Sequence, residues 1–163
     1  MKKIKEALCS KFSLGKKIRA RGGWIWNLDN NRVIKVVGDT DKYFGKRFMN
    51  LLDYLQKIDS PAVVKIHDFG PLNIKGEKCS FWFYVMDKLK PIPYDCYEDV
   101  FDDLLVDFYL SKKKSPVFIS NEFNVFLKEA KKLKYKYNDL HSRNVMIDNE
   151  GKFKFIDLES FLY

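Results

Sequence analysis

Three short runs of strand-forming residues, each closed by a tight turn, open the chain and restrict it to an antiparallel start. Phe12 to Ala20 has strand character and runs into Arg21-Gly22-Gly23, a turn signal. Trp24 to Leu28 reads as a second strand closed by Asp29-Asn30-Asn31, and the β-branched Arg32 to Val37 as a third. Connections this short cannot carry a parallel crossover, so the three form a meander. From Asp41 to Ile58 the period changes: Tyr43, Phe44, Phe48, Leu51, Leu52 and Leu55 recur at helical spacing until Ser60-Pro61 ends the segment. Val63 to Phe69 and Phe81 to Met86 are two more strands around a polar loop containing Gly76. The order is strand, strand, strand, helix, strand, strand.

Beyond Lys90-Pro91-Ile92-Pro93 the pattern turns helical. Tyr97 to Leu110 carries Val100, Phe101, Leu104, Leu105 and Phe108 on one side, and Lys112 to Pro116 is a basic loop. Ser120 is placed to cap a helix with Phe123, Phe126, Leu127 and Leu133 inside and Lys128, Lys131, Lys132 and Lys134 outside. Asn144 to Asp148 and Lys152 to Ile156 flank Asn149-Glu150-Gly151, a hairpin signal. A predominantly antiparallel first half followed by helices and a hairpin predicts an α+β fold.

Composition narrows the function classes. With 46% hydrophobic residues, including 14 Phe and 9 Tyr, 163 residues can bury a core, which excludes global disorder. The longest apolar run is far short of a membrane span, and the basic N-terminus has no apolar stretch behind it to act as a secretory signal. Cys9, Cys79 and Cys96 are odd in number and share no metal-ligand spacing, so neither a disulfide framework nor a zinc site is implied and a reducing cytoplasm is the expected compartment. The net charge of +8 comes from 30 basic residues, of which only Arg19, Arg21, Arg32, Arg47 and Arg143 are Arg. Base readout leans on the Arg fork, so no specific nucleic acid and no membrane partner is expected.

The segment that carries chemistry runs from Tyr137 to Asp157. Asp139 is followed five positions later by Asn144, then by the hairpin, then by Ile156-Asp157, with Asp157 falling 13 positions after Asn144. Phosphoryl transfer needs such a set: one carboxylate facing the attacking hydroxyl, a side-chain amide oxygen and a second carboxylate on a metal ion. The alternative is an Asx-rich loop followed by a plain hairpin.

This constellation resembles the catalytic loop of protein kinases. Its Asp139-Leu140-His141 form is similar to bacteriophage kinase-like proteins, aminoglycoside phosphotransferases and lipopolysaccharide-core sugar kinases. The resemblance spans about Phe12 to Phe161. It implies a protein-kinase-like fold, with a five-stranded antiparallel lobe and hinge over about 12–89 and a truncated helical lobe over about 90–163. ATP would lie between them. Asp139 would be the catalytic base, and Asn144 and Asp157 the ligands of Mg²⁺. Lys35, in Val33-Ile34-Lys35, matches the strand lysine that holds the α- and β-phosphates, an ordinary exposed strand lysine being the alternative. Gly22 and Gly23 match the end of a glycine-rich phosphate loop, a simple hairpin turn being theirs. Met86-Asp87-Lys88-Leu89 resembles the hinge, with the Asp87 carbonyl and the Leu89 amide on adenine. His141 reads as a loop-ordering residue.

Several positions depart from the kinase pattern. The helix acid that pairs with the strand lysine is expected about ten residues before Pro61, where Leu51 stands, and Asp53 is the nearest carboxylate. Asn138 replaces the usual Arg before the catalytic Asp, which argues against control by a phosphorylated loop. Leu158-Glu159 follows Asp157, and the chain ends at Tyr163, before a peptide-binding platform could form. Truncated bacterial effector kinases are similar in this respect.

The expected activity is ATP- and Mg²⁺-dependent transfer of the γ-phosphate to a protein Ser or Thr hydroxyl. The alternatives are a pseudokinase that binds nucleotide without turnover and a kinase of a sugar or antibiotic. A protein substrate or activating partner is expected, in the host cytoplasm if this is a viral or effector protein. Leu158, Phe161, Leu162 and Tyr163 would either fold back on the Asn121–Leu133 helix or form an exposed patch for that partner.

Overall fold

The computed structural model describes residues 1–19, 23–39, 41, 43–92, 120–139 and 141–162. The chain is α+β and divides into two compact units, Met1–Lys57 with Lys65–Lys88, and Ile58–Val64 with Leu89–Tyr163. Gly22, Leu140, Tyr163, the expected Tyr97–Leu110 helix and the Lys112–Pro116 loop lie outside the described residues. Among those described, no helix is long and apolar enough to cross a membrane.

The first unit is an antiparallel sheet of β1 (Lys17–Ile18), β2 (Trp24–Asn27), β3 (Arg32–Asp39), β4 (Ile66–Leu72) and β5 (Ser80–Asp87), ordered β1-β2-β3-β5-β4. Helices α1 (Lys2–Cys9) and α2 (Phe44–Ile58) cover its two faces. Central strands β3 and β5 are buried along nearly their whole length, which is why they read as continuous apolar runs with no alternation. Ile34, Val36, Phe81, Phe83 and Val85 form one core with Ile4 and Leu8 of α1. On the other face Trp82 packs on Phe44 and Tyr84 on Phe48, both from α2. Phe48, Leu51 and Leu52 are fully buried there, each contributing about 1.5–3 kcal/mol.

Several boundaries differ from the sequence reading. Helix α1 was not expected; Ile4, Ala7 and Leu8 give it a single narrow apolar stripe, and Lys3 ties it to Glu77 at 2.8 Å. The first strand shrinks to Lys17–Ile18, because Phe12 turns inward onto Phe83 with ring centroids 5.2 Å apart. Tyr43 is 63% exposed and precedes α2, where Asp41 accepts its N–H at 2.9 Å. Strand β4 starts at Ile66, not Val63, since Val63 and Val64 belong to the second unit.

The second unit contains β6 (Lys90–Pro91), α3 (Asn121–Ala130), β7 (Val145–Ile147) and β8 (Phe153–Phe155), with an antiparallel sheet ordered β6-β7-β8. Ser120 caps α3 as expected, its Oγ accepting the Phe123 N–H at 3.2 Å. The helix ends at Ala130, so Leu133 lies past it and is only half-buried. The hairpin turn is held by Asp148, whose Oδ1 accepts the N–H groups of Glu150 and Lys152 at 2.9 Å each, and by Gly151 at φ +79°. Phe155 is the centre of this unit: Tyr137 stacks on it at 4.1 Å, Phe126 lies at 4.8 Å and Phe161 at 5.6 Å. Val64 donates to the Phe155 carbonyl at 3.0 Å and Phe155 to that of Ala62 at 2.9 Å. Leu158 and Phe161 are buried, so the exposed apolar patch considered above does not form from them; Phe161 folds back onto Tyr137 and Phe155.

Candidate functional site

Lys35 sits in the middle of β3, opposite Ile25 of β2 and Tyr84 of β5. Directly paired residues share a sheet face, and Tyr84 lies against Phe48 of α2 at 5.8 Å, so Lys35 points to the α2 side. It is 4% exposed, which rules out the ordinary exposed strand lysine. A cation this far from water needs anionic or hydrogen-bonding company, since an unpaired buried charge costs several kcal/mol. Asp53 is turned to Lys57 at 2.7 Å on the exposed side of α2, and Leu51 is fully buried. The turn before β2 brings Gly23 beside Lys35. Its φ is +71°, and a Cβ there would stand 2.6 Å from the Val36 carbonyl oxygen and 3.3 Å from Lys35 Cε. Only glycine fits both the backbone conformation and the space.

At the other end of the first unit, Asp87 closes β5. Its carboxylate contacts His67 Nε2 at 2.6 Å and its amide donates to the Lys65 carbonyl at 3.2 Å. Lys88 donates to the Asn31 carbonyl at 2.7 Å, and the division between units falls before Leu89.

In the second unit the loop from Tyr137 to Asn144 is built around one amide. Asn144 is 7% exposed and closes a single 3₁₀ turn, Ser142–Asn144. Its Nδ2 donates to the Asp139 carbonyl at 3.0 Å and to Asp139 Oδ2 at 2.9 Å. Both partners are acceptors, which fixes the amide with its NH₂ toward Asp139 and its Oδ1 turned away. His141 begins the turn, with Nδ1 accepting the Arg143 N–H at 3.1 Å and Nε2 lying 3.4 Å from Asp139 Oδ2.

Backbone contacts stitch Asp157 to this loop. Ile156 donates to the Asn144 carbonyl at 3.1 Å, Ser160 to that of Asp157 at 3.2 Å, and Asn138 to that of Ser160 at 3.0 Å. Asp157 has φ −92° and ψ 82° and leads into a 3₁₀ turn, Leu158–Phe161. Beneath them lies Tyr137, 1% exposed. Burial first, then the negative charge of Asp157, pushes its phenol well above the usual 10.0; the nearby Ser160 side chain opposes this, and Glu159 and Asp139 act in the same direction as Asp157. The hydroxyl is therefore neutral and close to the carboxylates of the loop.

Asp139 and Asn144 are thus in direct contact, Asp157 is joined to them through the backbone, and Gly23 lies against Lys35. Among the described residues no three His, Cys, Asp or Glu side chains converge. A metal here would have Asn144 Oδ1 and the Asp157 carboxylate from this chain, an all-oxygen pair suited to Mg²⁺. No protein-family model and no curated protein matches the chain.

Three contacts escaped the sequence reading, although it named His141 as a loop-ordering residue. Tyr137 was only the first letter of a motif, although an aromatic just before a polar loop signals a packed anchor. The contact of His141 with Asp139 was legible as a spacing of two residues but not as a distance. The His67–Asp87 pair had no local signal, because it depends on the register of β4 with β5.

Proposed function

We propose that this chain is a protein-kinase-like phosphotransferase, moving the γ-phosphate of Mg²⁺–ATP to a Ser or Thr hydroxyl of a protein. The observation that carries the reading is the Asn144 amide, which holds Asp139 by two hydrogen bonds while offering its oxygen elsewhere. Both donors on Asp139 use Oδ2 or the backbone, and neither uses Oδ1. Oδ1 is the oxygen left to orient the acceptor hydroxyl and to take its proton as the new O–P bond forms and the bond to the leaving ADP breaks. When bound, Mg²⁺ neutralises phosphate charge, and Asn144 Oδ1 and Asp157 are the groups that would hold it. Lys35 supplies a buried positive charge for the α- and β-phosphates, and the Gly23 backbone can approach them without a side chain. The Asp87 carbonyl and Leu89 amide are assigned to adenine.

One observation favours a second reading, a scaffold that binds nucleotide without turnover. Helix α2 presents buried Leu51 where active kinases carry the acid for the strand lysine, and Asp53 pairs with Lys57. Incubation with γ-labelled ATP, Mg²⁺ and a cell lysate separates the two. Asp139→Asn keeps shape but removes the carboxylate, and transfer is expected to fall on the order of 10²-fold or more with ATP affinity little changed. Nucleotide binding with equal label incorporation in wild type and variant would favour the scaffold.

A further inference from the structure

We propose that His141 is a positioning residue for Asp139, its Nε2–H holding the carboxylate Oδ2 so that Oδ1 alone faces the acceptor. The inference rests on the phosphotransferase reading for its kinetic consequence, and on contacts in the second unit for its geometry. His141 Nδ1 lies 3.1 Å from the Arg143 N–H, a donor with a fixed hydrogen. Nδ1 must therefore accept, and in a neutral imidazole the proton then sits on Nε2. Nε2 lies 3.4 Å from Asp139 Oδ2, a close approach longer than a formed hydrogen bond, as catalytic contacts often are before substrate binds.

The consequence follows from counting donors. Asp139 Oδ2 receives Asn144 Nδ2 at 2.9 Å, and His141 approaches the same oxygen. The single hydrogen bond from Asn144 restrains Oδ2 without fixing it, so the carboxylate can still rock about its Cβ–Cγ bond. A second donor on Oδ2 removes that freedom. Asp139 has a side chain 62% exposed, so packing does not immobilise it, whereas His141 is only 33% exposed and is anchored at its far nitrogen. Correct placement of a base at a reacting oxygen is worth a factor on the order of 10 or more in rate.

Two substitutions separate this role from plain turn capping. His141→Asn puts an amide oxygen where Nδ1 stands, keeping the cap on Arg143 N–H, but is too short to reach Asp139. His141→Gln places an amide N–H near the position of Nε2 and gives up the cap. His141→Asn is expected to lower kcat about 10-fold, with KM for ATP within about 2-fold and Tm within about 2 °C of wild type. His141→Gln should recover most of that rate while melting a few degrees lower. Full kcat in His141→Asn, or no recovery in His141→Gln, overturns the positioning role. Long-range ¹H–¹⁵N spectra of the wild type, recorded at mildly alkaline pH, test the geometry without turnover. They should show His141 protonated at Nε2, and a proton on Nδ1 overturns the inference. Absence of any phosphoryl transfer by wild type would fall on the phosphotransferase reading instead, with the tautomer still decided.

Discussion

Exchanging the Asn144 amide for a carboxylate tests the loop geometry in one step. In Asn144→Asp both hydrogen bonds to Asp139, at 3.0 and 2.9 Å, lose their donor, and a second negative charge takes its place. A bond to a charged acceptor is worth about 1.5–3 kcal/mol and one to a carbonyl about 1. Because the Asp139 side chain is 62% exposed, water replaces part of this, and about 2 kcal/mol is a fair loss. Repulsion between unit charges about 4 Å apart adds about 1 kcal/mol with solvent-like screening and more with less. The sum, about 3 kcal/mol at neutral pH, lowers Tm by roughly 6–12 °C for a chain of this size. The sign with pH follows from linkage. The introduced carboxyl holds its proton more tightly in the folded state, beside Asp139, than in the unfolded chain, so the variant loses stability as pH rises. Protonated, it becomes a donor again and restores one bond. Thermal melts of variant and wild type, followed by circular dichroism in chelator from about pH 4 to 8, should give a deficit smallest at the acid end and full by about pH 7. A deficit that stays constant across that range, or is below about 2 °C at neutral pH, refutes a direct Asn144–Asp139 contact.

Tyr137 is held neutral with its phenol raised well above 10.0, so its contribution is complete below that value and is lost as pH rises through the folded-state range. Wild-type stability should therefore decline in alkaline denaturation series above about pH 10, and Tyr137→Phe should flatten the decline. Phe155 is fully buried among Phe126, Tyr137 and Phe161, and Phe155→Ala should cost about 3–5 kcal/mol in urea unfolding, against under about 1.5 for Phe155→Leu if the site repacks. A loss below 1 kcal/mol for the alanine would mean that the second unit is not organised around this ring.

The five-stranded sheet was legible because turns and β-branched runs speak locally: Trp24–Asn27 and Arg32–Asp39 begin where their sequences begin. Boundaries slipped where tertiary packing decides. Val63 and Val64 have strand propensity, yet their backbone partner is Phe155, about ninety residues away, and no local pattern announces that. Helix α1 was missed because only Ile4 and Leu8 of its eight residues are buried, too few to stand out among lysines. Within the loop, spacing alone named Asp139, Asn144 and Asp157. It could not say that Asn144 spends both hydrogens on Asp139, nor that Tyr137 lies buried beside their charges, because those follow from how Phe155 gathers its neighbours.

If the chain binds Mg²⁺–ATP as proposed, nucleotide and metal together must stabilise the folded protein more than either does alone. Melting curves of the wild type, Lys35→Ala and Asp157→Ala with ATP, with Mg²⁺ and with both measure this directly. At about 100-fold excess over Kd the bound complex adds about 2.7 kcal/mol, or roughly 5–10 °C. Both substitutions should remove most of that gain, and Asp157→Ala should remove its dependence on Mg²⁺ while leaving any shift from ATP alone. An unaltered metal-dependent gain in Asp157→Ala, or no gain from Mg²⁺–ATP in the wild type, would contradict the phosphotransferase assignment.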